Sequence, residues 1–355
     1  MKSVIIVGAG AIGLMCAVRL AKAGARVTVL EEQREEITVY GATASASAAG
    51  MLAPIEAHAS PFEQLGLASY DLWKQWRPDA AWADAVRFDG AVAIAPDAAG
   101  ADAYVKNGAR LGRTVSALSA NKFRAKTDMA TKIETSVFIE DEGTCDPIRT
   151  LSGLLMEARA HGVSVVFHRD VNAVTRNQVD TFEKETYEAD IVLLTPGAWA
   201  TEQLKEVAPA LKHVRPGKGQ LVSVAFERDL RPNLRAPNFY LAQRREDVVL
   251  GATLQMGVTS RFAETKASED LLAAANALLP GIVRPRGEAW AGIRPMSPDG
   301  WPLIGWSGAC LIAAGHSRNG WLLAPITAEI ITAYVMDYPI APEWAALSPN
   351  RFGNP

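Results

Sequence analysis

Three glycines near the N-terminus have the residue type and spacing needed to bind a dinucleotide. Gly8, Gly10 and Gly13 form the pattern G-x-G-x-x-G. The first glycine of this pattern allows a tight turn, the second lets a pyrophosphate approach the backbone, and the third lets a helix pack closely on a strand. Glu31 follows about 20 residues later, where an acidic side chain can bind the hydroxyls of a ribose. The four residues therefore predict a dinucleotide site.

The elements around the glycines are those that such a site requires. Residues 4–7 form a β-branched run suited to a strand that is buried on both faces. Residues 11–23 are good helix formers with apolar residues at helical spacing, and residues 26–30 predict a second strand. This is a βαβ unit with the glycines between its first strand and its helix. The alternative, a glycine-rich turn without a ligand, does not account for the whole arrangement.

A second cluster of reactive side chains lies near the C-terminus, in AAGHSRNGWLLAP (residues 313–325). Its central residues, 315–319, follow a short apolar strand at 310–314 and precede a predicted helix at 320–336. A glycine-flanked loop that opens a helix points backbone N–H groups at an anionic or electron-rich group. His316 is a candidate general base, but packing or a hydrogen bond to a cofactor is the preferred interpretation.

Residues 41–54, GATASASAAGMLAP, are almost all small. They indicate either a flexible linker or a segment whose backbone lies close to a ligand, with Ser45 and Ser47 donating hydrogen bonds.

The composition narrows the classes of function. A length of 355 residues suggests two domains or one with large insertions. A formal net charge of -3 provides no field that favours nucleic acid or an anionic membrane. The three cysteines have no metal-ligand spacing, and no apolar stretch reaches the roughly 20 residues that span a bilayer. We expect a cytoplasmic enzyme with a small-molecule substrate, without a metal, nucleic acid or membrane insertion; a homo-oligomer stays open.

Further patterns predict an α/β fold in which two sheets alternate along the chain. A helix at 61–84, with its tryptophans in packing roles, precedes strand-like pieces at 86–95, a helix at 147–161 and buried strands at 163–167 and 189–195. Alternating strands between about 215 and 290, with a helix at 268–279, indicate a largely antiparallel second sheet. The predicted division is a Rossmann-type, parallel-sheet nucleotide domain (1–60, 141–214 and 291–340), a substrate domain (61–140 and 215–290) and a C-terminal tail (341–355).

Several motifs occur in a fixed order along residues 3–335. They are VIIVGAGAIG, ASAAGMLAP, LLTPGAW, RPGKGQL, FYLAQRREDVVLGAT, WAGIRPMSPDGWPLIG and AAGHSRNGWLLAP. Together they resemble the flavin-dependent amine oxidases of the D-amino-acid oxidase group, and most closely the bacterial glycine oxidases. The resemblance is weakest between residues 60 and 140.

This resemblance implies FAD rather than NAD, a choice that the glycine pattern alone leaves open. It also implies that FAD is held without a covalent link, because no cysteine lies where some relatives attach it. The implied cofactor contacts are Gly8, Gly10, Ala11, Ile12, Gly13, Glu31, Ser45, Ser47, Ala49, Gly50, Met51, Val171, Pro196, Gly197, Trp199, Gly315, Ser317, Arg318, Asn319, Gly320, Trp321 and Leu322.

The resemblance also implies a substrate site for an α-amino acid. Arg294 matches an arginine that binds the substrate carboxylate, Tyr240 a tyrosine that donates to the same group, and Arg318 an arginine at the edge of the site. A structural ion pair, a core aromatic and a surface arginine are the respective alternatives. Lys218 matches a recurrent lysine that acts near the flavin through water, or else is an exposed turn residue. The family pattern HFRNG is HSRNG here, so Ser317 replaces a bulky side chain.

The implied activity is oxidation of glycine, sarcosine or a small D-amino acid. Hydride passes from Cα to flavin N5, the imine hydrolyses to an oxo acid and ammonia or amine, and oxygen becomes hydrogen peroxide. Hydride transfer does not require a general base, which is why a catalytic role is not the preferred interpretation of His316. In relatives, the product supplies thiamine synthesis. The alternatives are an FAD-dependent D-amino-acid dehydrogenase that passes electrons to a quinone or a carrier, a flavin-binding protein without turnover, and a nicotinamide-dependent reductase.

Overall fold

The computed structural model describes residues 1–41, 43–60, 63–129, 133–226, 230–244, 247–281 and 283–353. Ala42 of the small-residue segment, residues 61 and 62 of the predicted helix, and the last two residues of the predicted tail lie outside this part.

Helices follow strands at the start of the chain, as a doubly wound fold requires, and runs of consecutive strands follow later. The α-helices of the described part are α1 (Ala11–Lys22), α2 (Ala44–Ser47), α3 (Glu63–Trp76), α4 (Ala98–Arg110), α5 (Ala120–Thr127), α6 (Pro147–Ala160), α7 (Glu202–Val207), α8 (Thr265–Leu278) and α9 (Gly320–Met336). The strands are β1 (Ser3–Val7), β2 (Arg26–Glu31), β3 (Met51–Leu52), β4 (Val86–Arg87), β5 (Ala91–Ile94), β6 (Val115–Leu118), β7 (Ser136–Ile139), β8 (Gly143–Cys145), β9 (Ser164–Phe167), β10 (Val171–Val174), β11 (Gln178–Thr181), β12 (Thr186–Glu188), β13 (Ile191–Leu194), β14 (Arg215–Ala225), β15 (Asn233–Arg235), β16 (Tyr240–Gln243), β17 (Val248–Gly251), β18 (Gln255–Met256), β19 (Arg284–Met296), β20 (Leu303–Ser307) and β21 (Cys310–Ala314).

A six-stranded sheet carries the predicted nucleotide site. Its order is β20-β21-β13-β1-β2-β9, and all neighbours are parallel except β20 and β21. The central strands are fully buried, as their continuous β-branched and leucine runs predicted. The carboxyl ends of β1, β13 and β21 meet at one edge, which is where open α/β sheets bind ligands.

The second sheet is largely antiparallel, as predicted, and its strands come from two separate parts of the chain. Its order is β18-β14-β17-β16-β15-β5-β7-β6, and β19 pairs with β14 over most of its length. The pairing of β5 with β15 is parallel and joins the two parts. Helix α8 packs on this sheet, with Leu271 and Ala275 buried against it. Two further three-stranded sheets, β10-β11-β12 and β3-β8-β4, complete the strand pairings.

Helix α3 packs differently from the prediction. The predicted helix 61–84 ends at Trp76 and is followed by two short 3₁₀ helices. The predicted division placed it in the substrate domain, but Trp73 and Tyr70 belong to the core around α1 and α9. The indole of Trp73 donates to the carbonyl of Trp321 at 3.0 Å, and Ser69 donates to that of Leu322 at 2.6 Å. Sequence periodicity shows which face of a helix is apolar, but not which partner covers it.

Other boundaries also need correction. The strand predicted at 163–167 is an edge strand and is only half-buried. The segment predicted as a tail packs on the body: Leu347 is buried, and Arg351 forms an ion pair with Asp299. The strand-like pieces predicted at 86–95 are the two short strands β4 and β5, so that prediction holds. Helices α1, α6, α8 and α9 match their predicted ranges closely.

Candidate functional site

One cavity of about 830 Å³ lies between the carboxyl edge of the parallel sheet and the face of the second sheet. This volume is within the usual range for ligand sites. The predicted site residues that line it are Gly8, Gly10, Ala11, Ile12, Gly13, Glu31, Ser45, Ser47, Ala49, Gly50, Met51, Val171, Pro196, Gly197, Trp199, Tyr240, Arg294, Ser317, Arg318, Asn319, Gly320 and Trp321. Gly315 and Leu322 do not line it: Gly315 is buried in the turn before the loop, and Leu322 packs in the core beneath α9. The fold thus brings all the predicted site residues except Gly315 and Leu322 together around one cavity.

The glycine turn is shaped by contacts that no side chain would permit. Gly8 has a φ of +105°, and a β-carbon there would lie 2.5 Å from the carbonyl oxygen of Thr195. A β-carbon on Gly13 would overlap the carbonyl oxygen of Gly8 and lie 2.8 Å from Thr195 Oγ1. Gly10 caps helix α1 without a side chain, so the first turn of the helix opens onto the cavity. This is a phosphate-binding geometry.

Glu31 lies at the end of β2, on the rim of the cavity. One carboxylate oxygen accepts a hydrogen bond from the N–H of Ala9 at 2.6 Å, and the other accepts from that of Gln33 at 2.9 Å. A carboxylate has about four acceptor positions, so the fixed group retains capacity for the two hydroxyls of a ribose. The side chain is thereby oriented before any ligand binds.

The two serines predicted as hydrogen-bond donors have more specific roles. Ser45 Oγ accepts from the N–H of Ala11 at 3.0 Å, which leaves its hydroxyl proton available for a ligand. Ser47 is buried, and its hydroxyl donates to the carbonyls of Thr43 and Ala44 within its own turn. Ser45 is therefore the better candidate for a ligand contact.

Two tryptophans hold the short helix α2 in place. The indole of Trp290 donates to the carbonyl of Ser47 at 2.9 Å, and the indole of Trp321 donates to that of Ser45 at 3.1 Å. Thr195 has a similar supporting role, since its hydroxyl lies at hydrogen-bond distance from the carbonyls of Val7 and Gly8. Sequence reasoning missed Trp290 and Thr195 as site residues. The available signal was the position of Thr195, directly after a buried strand and before Pro-Gly.

The loop before α9 is bound to the end of β19. The N–H of Ser317 donates to the carbonyl of Pro295 at 2.8 Å, and Ser317 Oγ accepts from the N–H of Ser297 at 3.2 Å. Ser317 has a φ of +52°, and Gly315 has a φ of +69°. This tight path places the N-terminus of α9 at the cavity, where its free N–H groups favour an anionic or electron-rich group.

His316 is a buried, neutral residue. Its Nε2 lies 3.0 Å from Thr327 Oγ1, and burial lowers the pKa of the imidazole to about 3. A base with so low a pKa takes up protons poorly near neutral pH. The structure therefore supports a packing role over a catalytic one.

Lys218 is buried in β14, so the interpretation as an exposed turn residue is wrong. Its ammonium pairs with Glu264 on the side of the strand opposite the cavity. The cavity is lined instead by its neighbour Gly219, because successive residues of a strand face opposite sides. Lys218 does not line the cavity, which argues against the predicted action beside the flavin.

Arg294, Tyr240 and Arg318 surround the part of the cavity nearest the second sheet. Arg294 donates through Nη1 to the carbonyl of Thr253 at 3.1 Å and interacts with the hydroxyl of Tyr240. Burial lowers the pKa of the Arg294 guanidinium, and nearby Tyr240 opposes this effect. Burial also raises the pKa of the Tyr240 hydroxyl, so the tyrosine is a neutral donor.

Neither arginine has an acidic partner within the part of the chain that the structure describes. The ion pairs of that part involve other residues, and Arg318 is exposed at the cavity wall. A cation enclosed in a protein is stable when an anion pairs with it, and the fork of arginine matches a carboxylate. The arrangement therefore fits a ligand that carries a carboxylate.

The residues present fit an FAD molecule. The glycine turn and Glu31 suit its adenosine diphosphate half, while the loop before α9 suits an electron-rich ring system. Residues 3–334 match the model of the DAO family, described as FAD dependent oxidoreductase. The chain belongs to this family. The resemblance found in the sequence motifs is thus confirmed, and FAD is the cofactor.

Two proteins that resemble this FAD-dependent oxidoreductase bear the name glycine oxidase. The one from Bacillus licheniformis is 29% identical over 96% of this chain and 94% of its own length. The crystal structure of glycine oxidase from Geobacillus kaustophilus superposes with a TM-score of 0.85 at 26% identity, covering 99% of both chains. A bifunctional protein ThiO/ThiG from Synechocystis is 28% identical over 98% of this chain and 54% of its own length.

The described residues contain neither a membrane-spanning helix nor a metal-binding cluster. None of the helices there is long and apolar enough to cross a membrane. Within the same residues, no group of three or more His, Cys, Asp or Glu side chains is placed to hold a metal ion.

Proposed function

We propose that this oxidoreductase oxidises glycine, sarcosine or a small D-amino acid. The proposal rests on the surroundings of Arg294, a partly buried cation in the cavity wall. Its guanidinium interacts with the Tyr240 hydroxyl and has no acidic partner among the described residues. An α-amino acid supplies the missing carboxylate. The names of the two similar glycine oxidases support the same substrate class.

The chain's own part in the reaction is binding and orientation. Arg294 would hold the carboxylate with two parallel N–H donors, Tyr240 would donate a third hydrogen bond, and Arg318 would add positive charge at the open side. Fixing the carboxylate at three points orients the Cα–H bond, which is how positioning lowers the barrier of a bound reaction. FAD, when bound, would accept the hydride from Cα, which carries both electrons of the oxidation.

The site needs no protein base for this chemistry. The amine must be neutral when the Cα–H bond breaks, and a neutral amine is available from the free amino acid by loss of a proton to water. His316, the one imidazole in the loop, has its pKa lowered to about 3 by burial and bonds to Thr327. We therefore propose proton loss to solvent through the open side of the cavity.

The decisive experiment is anaerobic reduction of the purified, FAD-loaded protein. A panel of glycine, sarcosine, D-amino acids and L-amino acids is added without oxygen, and the flavin absorbance is followed. We expect bleaching by glycine, sarcosine or a small D-amino acid, and loss of that bleaching in Arg294→Ala. If no amine or amino acid bleaches the flavin, the proposal fails.

The electron acceptor is tested in the same samples. We propose oxygen, reduced to hydrogen peroxide. Admitting air to the bleached protein should restore the absorbance and release one peroxide per flavin. Restoration by a quinone but not by air would instead identify a dehydrogenase.

A further inference from the structure

The guanidinium of Arg294 lies directly on the backbone of Gly219. A β-carbon on Gly219 would overlap Nη1, Cζ and Nη2 of Arg294. Gly219 lies in β14 and pairs with Gly292 of β19, the strand that carries Arg294. The planar group therefore rests on the sheet at a point where a side chain is missing.

A second glycine has the same relation to Tyr240. A β-carbon on Gly251 would lie 2.6 Å from both Cζ and Oη of the tyrosine. Gly251 is the last residue of β17 and pairs with Leu221, two residues beyond Gly219 on β14. Residues two apart on a strand share a face, so both glycines lie on the cavity side of the sheet.

Glycine in a strand weakens it, because the residue gains no packing and loses more entropy on folding. Two glycines lie on adjacent strands, and each leaves the space of a missing side chain to one group of the candidate carboxylate site. The Arg294 guanidinium fills the space over Gly219, and the Tyr240 hydroxyl end fills the space over Gly251. We propose that Gly219 and Gly251 are positioning residues, which leave room for Arg294 and Tyr240 to lie flat and point at the substrate carboxylate. This inference rests on the proposed function, in which Arg294 binds that carboxylate.

The structure also predicts what a methyl group at Gly219 would displace. The overlapping atoms are the far end of a long side chain, whereas the strand pairing between Gly219 and Gly292 is backbone only. The guanidinium would have to move, losing its hydrogen bond to the carbonyl of Thr253. We therefore expect Gly219→Ala to retain the fold and to lose carboxylate affinity.

Gly217→Ala is the matched control. Gly217 lies two residues earlier on the same face of β14, and a β-carbon there would lie 2.6 Å from Met296 Cγ, another flexible side chain. Both substitutions add one methyl group to the same strand against a movable neighbour. The neighbour of Gly219 is Arg294, which binds the carboxylate in the proposed site, whereas the neighbour of Gly217 is Met296, which does not.

The test uses the FAD-loaded protein and two ligands. Steady-state kinetics gives KM and kcat for glycine, or for the amino acid that bleaches the flavin best. Calorimetric titration gives the Kd of acetate, a carboxylate that cannot be oxidised. We expect Gly219→Ala to raise KM and the acetate Kd by about tenfold to a hundredfold, the range for a hydrogen bond to a charged group. We expect kcat and the melting temperature to change little, and Gly217→Ala to leave KM and Kd unchanged.

A double-mutant cycle shows whether Gly219 acts through the arginine. In the Arg294→Ala background, the guanidinium is absent, so Gly219→Ala should have no further effect on KM or Kd. Equal losses in the two backgrounds would overturn the proposal. So would equal effects of Gly217→Ala and Gly219→Ala, or loss of the fold in Gly219→Ala.

Failure of the inference is distinguishable from failure of the function. If Arg294→Ala weakens acetate binding and Gly219→Ala does not, the positioning role is wrong and the carboxylate site stands. If the unsubstituted protein neither binds acetate nor turns over an amino acid, both are wrong.

Discussion

The burial of His316 predicts a specific dependence of stability on pH. The imidazole pKa is about 3 in the folded protein, compared with 6.5 in an exposed histidine, and the cause is burial. The unfolded chain therefore binds more protons than the folded chain between these two values. The free energy of unfolding therefore rises with pH across that window. The contribution of His316 to stability is fully present above pH 6.5 and is lost as the pH falls toward 3.

The size of the effect follows from the same shift. Each pH unit inside the window changes the free energy of unfolding by about 1.4 kcal/mol per group. Lowering the pH from about 7 to about 5 crosses roughly 1.5 units of it, so His316 should remove about 2 kcal/mol. The glutamine of His316→Gln has no titrating group at these pH values and retains a polar group for Thr327. The loss of about 2 kcal/mol in the free energy of unfolding that His316 causes should therefore be absent from this variant.

The assay is urea unfolding of both proteins at the two pH values. Saturating FAD is present throughout, so that cofactor binding contributes alike to each pair of measurements. We expect the loss between the two pH values to be about 2 kcal/mol smaller in His316→Gln. Equal losses in the two proteins would refute the reasoning. In the activity assay, removal of a general base would lower kcat by about a hundredfold or more, and we expect a much smaller change.

Three further predictions concern the cofactor and substrate sites. Gly13→Ala should raise the Kd of FAD at least about tenfold in equilibrium dialysis, because the added β-carbon overlaps the carbonyl of Gly8 and forces α1 away from the turn. Glu31→Gln should raise the same Kd by about tenfold, because one charge-assisted acceptor is lost. Tyr240→Phe should raise KM for the amino acid by about tenfold with a smaller change in kcat, since in the proposed site its hydroxyl, which interacts with Arg294, would donate to the carboxylate and not act on the reacting bond.

Each of these predictions has a control or a contradicting result. Gly66→Ala adds a methyl group to a helix where the nearest atom is 3.5 Å away, and FAD affinity should be unchanged. Equal FAD affinities of Gly13→Ala and Gly66→Ala would contradict the packing argument. An unchanged FAD Kd in Glu31→Gln would remove Glu31 from the cofactor site. A fall in kcat without a rise in KM would show that Tyr240 acts on the chemical step.

The parts of the fold that could be predicted are those that depend on residues close together in the sequence. The glycine spacing, the apolar strands and the helix at 320–336 predicted the parallel sheet and its cofactor site, and the structure has these elements at those ranges. The motif resemblance added FAD and the family, both confirmed by the family match over residues 3–334. The predicted roles of Arg294, Tyr240 and Arg318 stay predictions, although the structure brings all three to one cavity wall.

The remainder depended on contacts between distant segments. Spacing shows that Lys218 is near two glycines, but only the pairing of β14 with β19 shows that it faces Glu264 while Gly219 faces Arg294. Likewise, the tryptophan pattern predicts packing, but not that the indole of Trp290 would hold α2. In this protein the sequence by itself determined the secondary structure and the chemistry of the cofactor turn, because both depend on residues close together in the chain. Only the tertiary structure decided which side chains face the substrate, because strand register selects one face of each strand.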